Sequence, residues 1–182
     1  MKGFKRIIVL AFSVAMAVSA LAFAGCEKEE GSSLSGSMKI VITPDTQSQA
    51  TVIEADLSNF TDTDSVMDVI ESLAEGGKIC YKGSNGVYGM YLTGLGVPVE
   101  STYEGQTSMV DSYILEENIA EGKYLYTYTS VDADKLETKP DAEYQAMTVE
   151  YDGVTLTESM NSVSKMSICD GAIIYFTYIV WG

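Results

Sequence analysis

The sequence has no histidine, and its one arginine is Arg6. Without histidine there is no Ser-His-Asp or Cys-His couple, no imidazole metal ligand and no histidine proton shuttle. Without arginine in the body of the chain there is no guanidinium fork to clamp a phosphate or a carboxylate. Positive charge of any kind is scarce: 11 Lys and Arg stand against 26 Asp and Glu in 182 residues. Lys2, Lys5 and Arg6 fall in a leader that reads as cleaved, which leaves 8 basic and 26 acidic residues, a net charge of −18. A surface so acidic repels nucleic acid and anionic headgroups, and neither is expected as a partner.

What is present first is an address. Lys2, Lys5 and Arg6 make a basic start, residues 7–24 carry no charge, and the run ends in Phe23-Ala24-Gly25-Cys26. Small residues before a cysteine resemble a bacterial lipobox, with Phe23 where leucine is preferred. Residues 1–25 are therefore read as a lipoprotein signal peptide and Cys26 as the lipidated residue; the alternative is a secretory signal cut near Ala24 with Cys26 left as a thiol. Two or three acyl chains, at about 0.8 kcal/mol per buried CH₂, anchor a protein stably. The expected location is extracytoplasmic, with the membrane touched through this anchor alone. Residues 26–37 are charged, then rich in Gly and Ser, and read as a flexible tether with a reach of roughly 18 Å.

Residues 38–182 suit one domain. Met38 to Thr43 and Ala50 to Asp56 read as strands of a hairpin around Pro44-Asp45. Ser65 and Asp68 form a capping box, and Val66, Val69, Ile70 and Leu73 fall on one helical face. Gly76-Gly77 closes that helix. Ile79 to Lys82 reads as a short strand and 83–96 as a glycine-rich stretch. Met109 to Ala120 fits a short helix or an irregular connection. Lys123 to Ser130 alternates as a strand, Asp152-Gly153 marks a hairpin between Ala146 to Tyr151 and Val154 to Leu156, and Asp170-Gly171 a turn. Ala172 to Trp181 reads as a central strand apolar on both faces. A hairpin, one helix and then strands ending in a central one is the order of a β-grasp. The expected class is α+β, a β-grasp-like mixed sheet packed on one main helix.

Three segments carry a family resemblance. They are Ser65 to Leu73 followed by Tyr88-Gly89-Met90-Tyr91-Leu92-Thr93-Gly94-Leu95-Gly96; Lys123-Tyr124-Leu125-Tyr126-Thr127-Tyr128-Thr129-Ser130; and Ile168-Cys169-Asp170-Gly171-Ala172-Ile173-Ile174-Tyr175-Phe176. Together they resemble bacterial domains of unknown function similar to the C-terminal β-domain of transcobalamin and intrinsic factor. Tyr124 stands where that family usually has Trp, and Ala172 where it prefers Asp. The resemblance implies a non-enzymatic β-grasp that binds a ligand, with a corrinoid as one candidate and no resident cofactor.

The aromatic residues left after the leader are 12 Tyr, 2 Phe and 1 Trp. Tyrosine joins an apolar body to a polar tip, which suits a sticky but soluble surface. Tyr124, Tyr126 and Tyr128, two apart on a strand, share one face. They form either a stripe that receives a flat ligand, a sugar or a peptide, or cross-strand packing against the helix or on a partly wet outer face. The glycines at 83, 86, 89, 94 and 96 lack the Gly-Lys-Ser/Thr ending of a phosphate loop and read as turns, or as a ligand-contacting loop reaching with Asn85, Tyr88 and Tyr91. Asp62, Asp64 and Asp68, like Asp132, Asp134 and Asp141, lack EF-hand spacing and read as solvated acidic faces, so no metal site is expected. Cys80 and Cys169 are candidates for a disulfide, or else buried thiols. With no nucleophile–base pair, metal set or cofactor motif, the expected role is binding rather than catalysis: a small flat ligand, or a protein or glycan at the cell surface.

Overall fold

The computed structural model describes residues 31–45, 47–141 and 143–180. The expected signal peptide at 1–25, Cys26 and the closing Trp181 lie outside the described residues.

The first hairpin forms where the alternation places it. β1 (Ser37–Ile42) pairs antiparallel with β2 (Thr51–Asp56). The one α-helix among the described residues, α1 (Val66–Glu75), follows. Its start is the expected capping box: the Ser65 side chain accepts from the Asp68 N–H, and the Asp68 carboxylate accepts from the Ser65 N–H at 2.7 Å. Such a cap contributes about 1 kcal/mol. Its end is a Schellman turn, with Lys78 N–H donating to Leu73 O and Gly77 N–H to Ala74 O, both at 2.9 Å. Gly77 supplies the φ of +66° that this turn needs.

The chain then departs from expectation. The glycine-rich stretch and the segment from Met109 form neither a loop nor a helix. β3 (Cys80–Gly86), β4 (Gly89–Tyr103) and β5 (Gln106–Glu116) make a three-stranded antiparallel meander. Ten register pairs from Gly94↔Glu116 to Tyr103↔Gln106 hold β5 as a strand, and only Ile119–Glu121 coils, as one 3₁₀ turn. Most of the glycines also serve a different end from turning. Of the five, only Gly89 has a positive φ. A Cβ at Gly96 would collide with the Ser112 carbonyl, so Gly96 is there because β4 and β5 approach closely at a bulge.

β6 (Lys123–Thr129), β7 (Thr148–Tyr151), β8 (Val154–Glu158) and β9 (Ile173–Val180) complete a six-stranded mixed sheet in the order β2-β1-β9-β6-β8-β7. β9 runs parallel to β1 and antiparallel to β6. Asp152 and Gly153, both at positive φ (51° and 75°), turn β7 into β8 as Asp-Gly predicts. β9 lies inside the sheet, and both its faces are covered. Ile174 and Phe176 pack with Ile40, Ile42 and the α1 residues Val66 and Ile70. Ile173 and Tyr175 pack on the opposite face with Val41, Tyr128 and Leu156. Each such buried side chain contributes roughly 1.5–3 kcal/mol. The architecture is α+β, with one helix on one face of a mixed sheet and a small sheet beside it.

The folded unit begins before Met38. Ser32 N–H donates to the Asp62 carboxylate at 2.8 Å, Leu34 N–H donates to Phe60 O at 2.9 Å, and the Leu34 side chain packs against the core. The expected tether is therefore ordered against the domain from Ser32 onward, through these hydrogen bonds and the Leu34 side chain.

Candidate functional site

The alternation Lys-Tyr-Leu-Tyr-Thr-Tyr-Thr along β6 sorts its side chains by face. Leu125 joins the core under α1, while Tyr126 and Tyr128 join the cluster on the opposite face. The tyrosine stripe thus lies on the sheet face that turns away from the helix. Its three members meet different fates. Tyr128 is only 3% exposed and packs edge-on to Tyr175, with ring centroids 6.2 Å apart. Burial, and then the Glu158 charge, push the Tyr128 hydroxyl up to about 12. Tyr128 is core. Tyr124 is half-buried opposite Ile179. Tyr126 lines a cleft.

That cleft exists because β8 does not run the length of β6. The two strands pair only at Tyr128↔Glu158 and Thr129↔Thr157. Ser159 N–H still reaches Thr127 O at 2.9 Å, and the chain then leaves the sheet. Further along β6, the Leu125 N–H is taken by the Glu117 carboxylate at 3.0 Å. The gap is lined by Met90, Tyr91 and Leu92 of β4 and by Leu125, Tyr126 and Thr127 of β6. The cleft holds about 180 Å³. A second hollow of about 360 Å³, beside Pro98 and Met109, is larger but gathers fewer polar groups.

The walls of the cleft are fastened by serines. Ser162 Oγ donates to the Tyr88 carbonyl at 2.8 Å, and Ser164 Oγ accepts from the Met90 N–H at 2.9 Å. A Cβ at Gly89 would strike both hydroxyls, so the glycine lets β4 come close to this segment. Deeper, the Asp134 carboxylate is 1% exposed and accepts from Asn161 Nδ2 at 2.7 Å and from the Ser167 N–H at 2.8 Å. It clasps the 160–167 segment to the sheet. One carboxylate lines the cleft itself. Glu158 Oε2 accepts from Tyr144 Oη at 2.6 Å and from the Met147 N–H at 3.3 Å. The hydrogen bond to Glu158 holds the Tyr144 hydroxyl protonated, up to about 12.

Of the tyrosines singled out from sequence, Tyr91 and Tyr126 are brought together here. Tyr88 sits at the β3–β4 turn, 69% exposed, and contributes its carbonyl to the fastening. Glu158, Asn161 and Ser162 line the cleft without any sequence signal that would single them out, because their role depends on where β8 leaves β6.

The other sequence candidates are placed elsewhere. Cys80 and Cys169 are not paired. Cys80 is buried and its thiol donates to the Ser112 carbonyl at 3.7 Å, while Cys169 is exposed beside Asp170. Burial pushes the Cys80 thiol up, and partial desolvation, Asp170 and Asp134 do the same for Cys169. Of the two readings, a disulfide or buried thiols, the structure has two separate thiols: Cys80 is buried, held inside the meander by its backbone acceptor, and Cys169 is exposed. Asp62, Asp64 and Asp68 accept hydrogen bonds from Ser32, Thr61 and Ser65. Asp132 pairs with Lys135 at 2.9 Å, and Asp141 is exposed.

No protein-family model matches the chain, and no curated protein matches it. Among solved structures, a protein of Ruminococcus gnavus described as a "putative metal binding protein" is similar in fold over 81% of this chain and 99% of its own, at 13% identity and a TM-score of 0.44.

Proposed function

We propose that this chain is a non-enzymatic binding module, held outside the cytoplasm by a lipid on Cys26, that takes a small ligand in the Tyr91–Tyr126 cleft. The observation that carries this reading is the composition of that cleft. Aromatic and aliphatic walls converge with a few fixed polar groups, the usual make-up of a binding pocket. The proposed fold is a β-grasp with an inserted meander. It is supported by the strand order β2-β1-β9-β6-β8, the parallel β1–β9 pair and the single helix after the first hairpin. The family resemblance points the same way.

The size of the cleft narrows the ligand. Pockets for drug-sized molecules run from about 300 to 1,000 Å³. At about 180 Å³ the cleft accepts one ring or one side chain. A corrinoid enters only by an edge substituent, with its macrocycle across the mouth. A second reading, a surface module for a protein or a glycan, is favoured by the far half of the β4–β5 ribbon, where Val99, Tyr103, Met109 and Val110 are all more than 40% exposed.

The test is thermal unfolding of the full chain with cobalamin, cobinamide and soluble glycan fragments. A ligand at 100 times its Kd adds about 2.7 kcal/mol. The module reading expects a saturable rise in Tm that Tyr91→Ala and Tyr126→Ala both remove. A rise untouched by those variants, or none with any of these ligands, sinks the cleft as the site.

A further inference from the structure

We infer that the cleft selects a primary alkylammonium group, such as a lysine side chain or a free amine with an aliphatic stem. This rests on the cleft being the ligand site and names the chemistry of what enters it.

Three observations carry the inference. The first is charge: Glu158 is the one ionisable carboxylate among the lining residues, and no lining residue is basic. An anionic ligand would meet Glu158 with nothing to offset it, in a protein that carries 26 acids against 11 bases. The second is the wall. Tyr91 and Tyr126 are aromatic lining residues, a side-chain type that attracts cations, while Met90, Leu92 and Leu125 suit a methylene stem.

The third is the geometry of Glu158. Tyr144 Oη and the Met147 N–H both donate to Glu158 Oε2. The carboxylate is thus fixed in orientation with Oε2 already engaged, so it does not present two free oxygens to a ligand. A single acceptor suffices for the point charge and three N–H donors of an ammonium. A guanidinium needs both oxygens for its fork, and a quaternary ammonium has no N–H to give. The lining hydroxyl of Ser162 and the Asn161 amide already direct a donor at the Tyr88 carbonyl and at Asp134, so those donors are not aimed at an anion in the cleft.

The experiment is calorimetric titration of the full chain in detergent at low salt with four probes: Nα-acetyl-lysine methylamide, its norleucine and arginine counterparts, and n-butylammonium. The expected result is saturable binding of the ammonium compounds, with norleucine weaker by about tenfold or more and arginine weaker than lysine. Glu158→Gln keeps an oxygen for Tyr144 and should lower lysine affinity by about tenfold with the fold retained by circular dichroism. Whichever ammonium compound binds more tightly names the source, side chain or free amine. Equal binding of lysine and norleucine, or full affinity in a folded Glu158→Gln, overturns the inference. If norleucine binds as well as lysine and Tyr91→Ala removes both, the cleft is still the site and only the cation is wrong. If nothing binds, the inference falls; if in addition the unfolding assays show no ligand sensitive to Tyr91→Ala or Tyr126→Ala, the cleft falls with it.

Discussion

Tyr144 Oη donates to Glu158 Oε2 at 2.6 Å, and so joins the loop before β7 to the last residue of β8. The same carboxylate lines the cleft and lies close enough to Tyr128 to raise its hydroxyl. One glutamate thus couples the site to the packing behind it.

That coupling sets an alkaline limit. Tyr128 and Tyr144 are both raised from 10.0 to about 12. Between those values the unfolded chain loses two protons that the folded chain keeps, so stability falls as pH rises through the window. The contribution is complete below about pH 10 and gone above about 12. Ring-carbon NMR should show both tyrosines titrating late, and Glu158→Gln should bring Tyr144 back towards the ordinary range. Early titration of Tyr144 in the unaltered chain would mean that the hydrogen bond is not formed.

Asp134 is the buried clasp of the cleft segment. Asp134→Ala removes two charge-assisted bonds and strands the Ser167 N–H and the Asn161 amide. The expected loss is about 3 kcal/mol, read as a lower urea midpoint with an unchanged slope. Asp134→Asn, which keeps one acceptor, should lose less.

Gly96→Ala places a methyl against the Ser112 carbonyl, where backbone rather than a flexible side chain must yield. A cost of about 1–3 kcal/mol is expected, with faster hydrogen exchange across the β4–β5 pairing. An exposed control, Gly105, also has positive φ but meets nothing within 4 Å, so its alanine variant should show backbone strain without that collision.

The proposed lipid anchor on Cys26 is tested by removing it. Cys26→Ala should release the protein from the membrane fraction, because no acyl chain remains to hold it. Mass spectrometry of the unaltered protein should find a diacylglycerol on Cys26. A membrane-bound Cys26→Ala protein without that mass would place the attachment elsewhere.

What the sequence made legible is what neighbours in the chain decide. The Ser65–Asp68 capping box, the turn at Asp152-Gly153 and the two-sided apolar pattern of β9 all depend on residues a few positions apart or on simple periodicity. The meander was not legible. Met109 and Val110 become strand because they meet Glu100 and Val99, a pairing no local pattern records. Within the site, the alternation of Tyr124, Tyr126 and Tyr128 revealed a shared face but not which face, since that depends on where α1 lies. Tyr126 stands at the cleft and Tyr128 in the core because β8 leaves β6 between them.

The central claim is that Tyr91 and Tyr126 form one ligand site. Its most direct test is NMR of the full chain with labelled tyrosine rings, titrated with Nα-acetyl-lysine methylamide and with cobinamide. The account predicts that the Tyr91 and Tyr126 resonances move together and saturate with at least one of these, while buried Tyr128 and Tyr175 stay in place. Saturable shifts confined to a distant tyrosine such as Tyr103, or no shift with either compound, would contradict it.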